Sequence, residues 1–253
     1  MKKMEALKKF NINHLSASSI STFIGNPSNW VLSYIYKVPF KSGASAERGK
    51  FIEKGLNLIL GDNRAIDETI ELQLNNYTET CKEMKIEKEV YEKEYHFIKE
   101  ALKILPEHFK KFGKVTGYQK KIGYNYKGVD IIGYTDFEFN KPIIVDLKTS
   151  NKLNVSIGHK IAQYIYTKAT NMENKLFYVQ ILKKTSNVME YKLTDEDNIQ
   201  IPLLIHQAIE NMNYLCAIAS SKEDFKRLVI PNPDDWMWKD EDKLKARKKI
   251  WGF

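Results

Sequence analysis

The spacing of apolar side chains divides the chain into regions of different periodicity. From residue 15 to about 112, apolar positions recur at three- and four-residue intervals, the period of a helix with one buried face. Residues 15–25 read as a short helix behind the capping candidates Ser16 and Ser18, and Gly25-Asn26-Pro27 stops it. Trp30 to Tyr36 adds an apolar helical turn or two. The clearest helix covers 44–60, where Phe51, Ile52, Leu56, Ile59 and Leu60 form one stripe and Gly61 closes it. Residues 64–80, 83–104 and 106–112 read as charge-laced helices, the last with Pro106 near its N-terminus.

The period then changes. Tyr118–Tyr126, Val129–Phe139 and Ile143–Thr149 are β-rich segments separated by the turn residues Lys127-Gly128 and Asn140-Lys141-Pro142. Helical spacing returns over 156–170. A hairpin follows, Leu176–Leu182 and Val188–Leu193 around Thr185-Ser186-Asn187, and then a long helix from Asp195 to about Ser220. A tail with Trp236, Trp238 and Trp251 ends the sequence. This order predicts a mixed α/β core with an α-helical insertion, not a regular βαβ alternation. The expected organisation is one domain over 1–253, with a helical insertion at 62–115, the αβ core at 116–195, and a C-terminal helix and Trp-rich tail at 196–253.

Composition narrows the class. The 253 residues are 43% hydrophobic and 28% charged, ordinary for a globular protein with a full core. No apolar run approaches the ~18–20 residues that span a bilayer, and the basic N-terminus lacks the apolar stretch of a signal peptide. A cytoplasmic location with no membrane partner is therefore expected. The net charge of +8 raises the prospect of a polyanionic partner, although each lysine cluster also reads as a solvated face. The two cysteines, Cys81 and Cys216, read as buried free thiols. They are too few for a four-cysteine zinc or iron–sulfur site built from this chain alone.

The segment from Ile131 to Ser150 carries the chemistry. Asp136, Asp146 and Lys148 are embedded in apolar, β-branched surroundings, where a charge is costly unless paired or metal-bound. With Asn140-Lys141-Pro142 as a three-residue loop, antiparallel partners sum to 282, so Asp136 faces Asp146. Opposed side chains lie ~4.5–5.5 Å apart at Cβ, close enough to share a divalent ion. Lys148 falls on the same face as Asp146, while Val145 and Leu147 turn to the core. Magnesium, a hard ion with oxygen ligands, suits this set. The bland alternative is a satisfied Asp–Lys pair on an ordinary hairpin.

The run Gly133-Tyr134-Thr135-Asp136 followed by Asp146-Leu147-Lys148-Thr149 resembles the GxxD…DxKT signature of the RecB-like branch of the PD-(D/E)XK nucleases. Arg48-Gly49-Lys50-Phe51-Ile52-Glu53 resembles the upstream RGxxxH or RGxxxE helix of that branch. The segment from His159 through Gln163 to Tyr166 resembles its downstream Gln-containing helix. Leu15-Ser16-Ala17-Ser18, with Asn26-Pro27, resembles its N-terminal LSxS…CP opening. The chain departs in having Glu53 where His is frequent, and Thr167 where Tyr follows Gln, so Tyr164 or Tyr166 stands in. Asn26 occupies the position of a cluster cysteine, and the tail has no cysteine, so no iron–sulfur cluster is expected, with tryptophan packing in its place.

The resemblance implies a restriction-endonuclease-like core. Glu53, Asp136, Asp146 and the Leu147 carbonyl would bind one or two Mg²⁺ or Mn²⁺ ions. Lys148 would position the attacking water, and Gln163 would steady a metal-bound water or a strand phosphate. Arg48, Ser18, Thr149, His159 and Tyr166 would touch nucleic acid. From the residues themselves, Arg48 reads equally as an ion-pair partner, Ser18 as a helix cap and His159 as structural. The implied activity is a metal-dependent DNA exonuclease on linear double- or single-stranded DNA, in phage-type recombination, repair or degradation, leaving 5′-phosphates. A single-strand annealing or binding protein and a second copy of the chain are the suggested partners. A structure-selective or restriction-like endonuclease, or a non-catalytic DNA-binding module, are the rivals.

Overall fold

Capping and apolar spacing set the helix boundaries that frame the sheet. The computed structural model describes residues 3–39, 42–150 and 152–252, apart from the side chain of Trp236. In chain order its elements are α1 (Lys3–Lys8), α2 (Ala17–Gly25), α3 (Pro27–Trp30), a π-helical turn over Val31–Ile35, α4 (Ala44–Leu60), α5 (Ile66–Glu83), α6 (Lys88–Glu92) and α7 (Tyr95–Lys110). Then come β1 (Val115–Tyr126), β2 (Val129–Phe139), β3 (Ile143–Thr149), α8 (Ile157–Thr170), β4 (Glu173–Ile181), β5 (Ser186–Tyr191), α9 (Asp195–Ile218), α10 (Phe225–Leu228) and α11 (Glu241–Trp251). Ser16, Ser156 and Thr194 each cap a helix by accepting a backbone N–H three residues on, at α2, α8 and α9.

Two expectations about the helical half are corrected. The span 83–104 is not one helix: Lys85 turns left-handed (φ 58°) after α5, and α6 is a separate short helix. Pro106 lies inside α7, not at a helix start. Packing tolerates it there, because Leu102, Leu105 and Phe109 on the same helix are fully buried and hold the turn in place despite the missing donor.

The five strands lie in the order β1-β2-β3-β4-β5, with β3 and β4 parallel and the other neighbours antiparallel. This mixed sheet has helices on both faces. On one side α4, α5 and α7 cover Phe137, Phe139, Val145, Leu147, Phe177 and Val179. On the other, α2, α8 and α9 form a core with Val129 and Ile131. Odd-numbered positions of β2 therefore serve the second core near Ile131 and the first near Phe137. The two-residue alternation changes phase between them, and β1 changes with it: Tyr124 packs with the second core and Tyr118 with the first. Gln119, left-handed at φ 49°, lies at that change.

The two ends of the chain meet. The Asn26 amide donates to Asp235 Oδ2 at 2.6 Å, and Lys243 Nζ to Asn29 Oδ1 at 2.7 Å. Leu32, Met237 and Trp238 form a small core there, with the Trp238 indole donating to the Asn232 carbonyl. Trp251 donates to the carbonyl of Val229. Both cysteines are buried and free. Among the described residues, no helix is long and apolar enough to cross a membrane.

Candidate active site

The β2–β3 hairpin puts two carboxylates and an ammonium on one face. The β2–β3 ladder pairs Phe139↔Ile143, Glu138↔Ile144 and Phe137↔Val145, so partners sum to 282. The ladder ends one pair before Asp136 and Asp146. There the Leu147 N–H donates to Asp136 Oδ2 at 2.8 Å instead of to a backbone carbonyl. On the other edge, the β1–β2 register passes from Tyr118↔Phe137 to Lys120↔Thr135, skipping Gln119 and Asp136. The strand that carries Asp136 is thus released from both neighbours at that residue, and the sheet opens where its acidic groups gather.

Lys148 Nζ stands 2.7 Å from Asp146 Oδ2 and 3.9 Å from Asp136 Oδ2. Glu53 approaches from α4, close enough to Lys148 and Asp146 for both to act on its charge. Burial first, then Asp146, raises the Glu53 carboxyl to about 7 against the pull of Lys148. Burial, reinforced by Asp146, also pushes Asp136 well above the ordinary aspartate range. For Lys148 burial acts downward, but Asp146 and Asp136 outweigh it and keep the ammonium protonated beyond the usual lysine value. Three carboxyl groups therefore face a single ammonium, and burial, with the neighbouring negative charge second, opposes ionisation of Glu53 and Asp136.

A groove of about 630 Å³ runs from Asp146 and Lys148 between the N-termini of α2 and α8. Ser18, His159 and Tyr166 line it, together with Ser16, Ser156, His14 and Lys121. Tyr166 lies against Gly133, where an added Cβ would come within 2.5 Å of its ring, so only glycine leaves room for the tyrosine. His159 hydrogen-bonds the Tyr178 hydroxyl through Nδ1. Burial, then Lys148, lowers its pKa, so the ring is neutral at neutral pH. Ser18 Oγ is 2.9 Å from Ser16 Oγ, the cap of α2.

Three of the residues expected in the site lie elsewhere. The Gln163 amide is buried and donates to the carbonyls of Asn174 and Tyr191 at 2.8 and 3.2 Å, joining α8 to the β4–β5 hairpin. It shares a helix with His159 but points past the groove. Arg48 is 2% exposed. Its guanidinium pairs with Glu94 at 2.5 Å, donates to the Thr149 carbonyl at 3.2 Å and lies 3.9 Å from the Phe97 ring centroid. These contacts tie α4 to its neighbours and bury the guanidinium away from the groove lining. Thr149 is held by these contacts behind the groove, its Oγ1 closing on Gly49. Conversely, Gln119, Tyr178, His14 and Lys121 were not expected. His14 directly precedes the Leu15-Ser16 motif, and Lys121 adjoins Lys120 in one of the lysine clusters that also read as solvated faces. Gln119 and Tyr178 carry no local signal.

The residues present fit a divalent cation. Asp146 Oδ2 is buried and accepts no hydrogen bond of good geometry, although the Lys148 ammonium is near. Beside it stand the Glu53 and Asp136 carboxyl groups, both raised first by burial and then by the charge of Asp146, and a cation would favour their ionised forms. Among the described residues no three acidic, imidazole or thiolate side chains close into a metal cage. An open, water-retaining site of the magnesium type needs only one or two carboxylates.

A sequence model described as the PD-(D/E)XK nuclease superfamily matches residues 14–227. No curated protein sequence matches the chain. In structure it is similar to a candidate exonuclease from Eubacterium rectale, with 14% identity over 90% of this chain and 93% of that one, at a TM-score of 0.51. A second solved structure, the protein SSO0001, shares 17% identity over 68% of this chain and 87% of that one, at a TM-score of 0.32.

Proposed function

Because the chain belongs to the PD-(D/E)XK nuclease superfamily, we propose that the groove is the active centre of a divalent-metal-dependent deoxyribonuclease acting as an exonuclease on linear DNA. The observation that carries the reading is the convergence of Asp136, Asp146 and Glu53 on Lys148, which with Asp146 lines one end of the groove. The exonuclease choice leans on the candidate exonuclease of similar fold. Phage-type recombination, repair or degradation is the setting we favour.

Asp136, Asp146 and Glu53 would hold Mg²⁺ or Mn²⁺, with the Leu147 carbonyl as a further ligand. A cation bound there supplies charge for the transition state of phosphodiester hydrolysis and for the leaving oxygen. Lys148, protonated through neutral pH, cannot be the base; its ammonium orients the attacking water and neutralises charge on the phosphate. Leu147 N–H fixes Asp136 Oδ2 and leaves the other oxygen of that carboxylate for the cation. His159, neutral and anchored through Tyr178, offers its other ring nitrogen to the groove, where Ser18 and Tyr166 add polar contacts to the strand.

End-labelled linear duplex, single-stranded DNA and closed circular DNA, each with Mg²⁺ or Mn²⁺, test the reading. Loss of linear DNA from its ends, intact circles and no activity in Asp146→Ala are expected, with a fall of at least about 10³-fold for loss of the ligand. Nicked circles would favour the endonuclease rival. DNA binding without cleavage of any substrate would make the protein a binding module and sink the proposal.

A further inference from the structure

Gln119 occupies an unfavourable backbone conformation in the middle of β1. Its φ of 49° lies in the left-handed region, which suits glycine and, less well, asparagine or aspartate. Glutamine gains nothing from that backbone, so its presence there answers to something the side chain does. The conformation turns the residue out of the β1–β2 ladder, which passes from Tyr118↔Phe137 to Lys120↔Thr135 without it. Turned out in this way, the amide reaches α4 and Gln119 Nε2 donates to Glu53 Oε2 at 2.9 Å. Strained backbone of this kind persists where its surroundings impose it, and it gathers at functional sites.

The position opposite Gln119 in the skipped pair is Asp136, so one local distortion does two things. It frees β2 at Asp136, and it delivers a hydrogen-bond donor to the one acidic group of the site that comes from a helix. A donor fixed on one carboxylate oxygen leaves the second oxygen, and the rotamer, set for a cation. Such outer hydrogen bonds orient ligating carboxylates and typically change metal affinity by about 10–100-fold when removed.

We propose that Gln119 is a positioning residue, which pays with a strained backbone to hold Glu53 turned toward the cation that Asp136 and Asp146 share. The proposal rests on the assignment of Glu53 as a metal ligand. It predicts opposite signs for stability and metal affinity, which a merely structural hydrogen bond would not give.

Mn²⁺ binding by calorimetry and thermal melting of the metal-free protein, on wild type and Gln119→Gly, separate the two. Glycine relieves the left-handed strain, so Gln119→Gly should melt at or above the wild-type temperature and yet bind Mn²⁺ about 10–100-fold more weakly. Gln119→Asn, which tolerates the backbone but is one methylene too short to reach Glu53, should lose the same affinity. In a Glu53→Gln background, Gln119→Gly should change Mn²⁺ affinity no further. Binding by Gln119→Gly within twofold of wild type would overturn the positioning role while leaving the metal centre standing, as would a loss that only accompanies a lowered melting temperature. Wild-type protein that takes up no Mn²⁺ would overturn the metal centre and the positioning role together.

Discussion

Glu53 ionises only near pH 7 because α4 buries it beside Asp146, and Lys148 offsets that burial incompletely. A metal ligand must bind as the carboxylate, so cation uptake below that pH has to expel a proton. In the metal-free protein the folded-state value, about 7, lies above the ordinary glutamate value of 4.5. Glu53 alone should therefore make divalent-metal affinity rise about tenfold per pH unit below 7, and the raised Asp136 carboxyl, also a proposed ligand, steepens that rise. Calorimetry at pH 6 in two buffers of different ionisation enthalpy should reveal the released proton. Glu53→Gln should bind the metal more weakly and show a smaller proton release. An unchanged release in that variant would mean that the proton comes from another group, with Asp136 the first to test.

At the scale of elements, Arg48 decides between two readings of one motif. Its guanidinium ties α4 to Glu94, the residue before α7, to the Phe97 ring within α7 and to the Thr149 carbonyl at the end of β3. Arg48→Met takes the cation from the largely buried Glu94 carboxylate, leaving it the Ser45 hydroxyl as a donor, and should cost about 3 kcal/mol of stability. It should leave the salt dependence of DNA binding unchanged, since no phosphate contact is lost. A denaturant melt and a salt titration check both halves; unchanged stability with a shallower salt slope would restore Arg48 to the DNA. The motif resemblance points Arg48 to nucleic acid and the residues themselves equally to an ion pair, because a helical repeat names shared faces and not neighbours. The same limit hid the role of Gln163, whose partners are carbonyls of β4 and β5. Where local chemistry is strong, the reading was sound. The apolar stripe of α4 closed by Gly61, and β2 and β3 bounded by their turns, lie at the expected residues. Left-handed positions held by residues with no preference for them, such as Lys85 after α5 and Gln119 within β1, left no trace in the pattern.

Across the whole molecule, two sets of carboxylates respond to pH in opposite directions. Around the β4–β5 edge and the start of α9, acidic groups are held below their ordinary values. Asp197 is at about 2 despite some burial, through Lys160 and Tyr191; Glu173 is lowered first by Lys192; and Glu190 is lowered by Lys175 and Lys111 against burial. Depressed values stabilise the fold above the unfolded-state pKa, near 4, and that contribution disappears as pH falls through the folded values. Glu53 has a raised value, so ionising it costs the metal-free fold stability as pH climbs from about 4.5 through 7, and the raised Asp136 carboxyl adds a cost of the same sign. The metal-free protein should therefore be most stable at mildly acidic pH, between the two sets, and lose stability on either side. A saturating divalent cation neutralises the second set and adds its own binding energy, so the maximum should move toward neutral pH while the acid limb stays in place. Melting temperatures from pH 3 to 9, with Mg²⁺ and with chelator, trace both limbs. Glu53→Gln should flatten the neutral limb in chelator and shrink the metal-dependent shift, whereas Asp197→Asn should lower stability across the neutral range and flatten the acid limb without changing the slope of the neutral one. A metal-free profile that keeps rising to pH 8 would mean that the carboxylates of the groove are not the charge-loaded cluster on which the proposed chemistry depends.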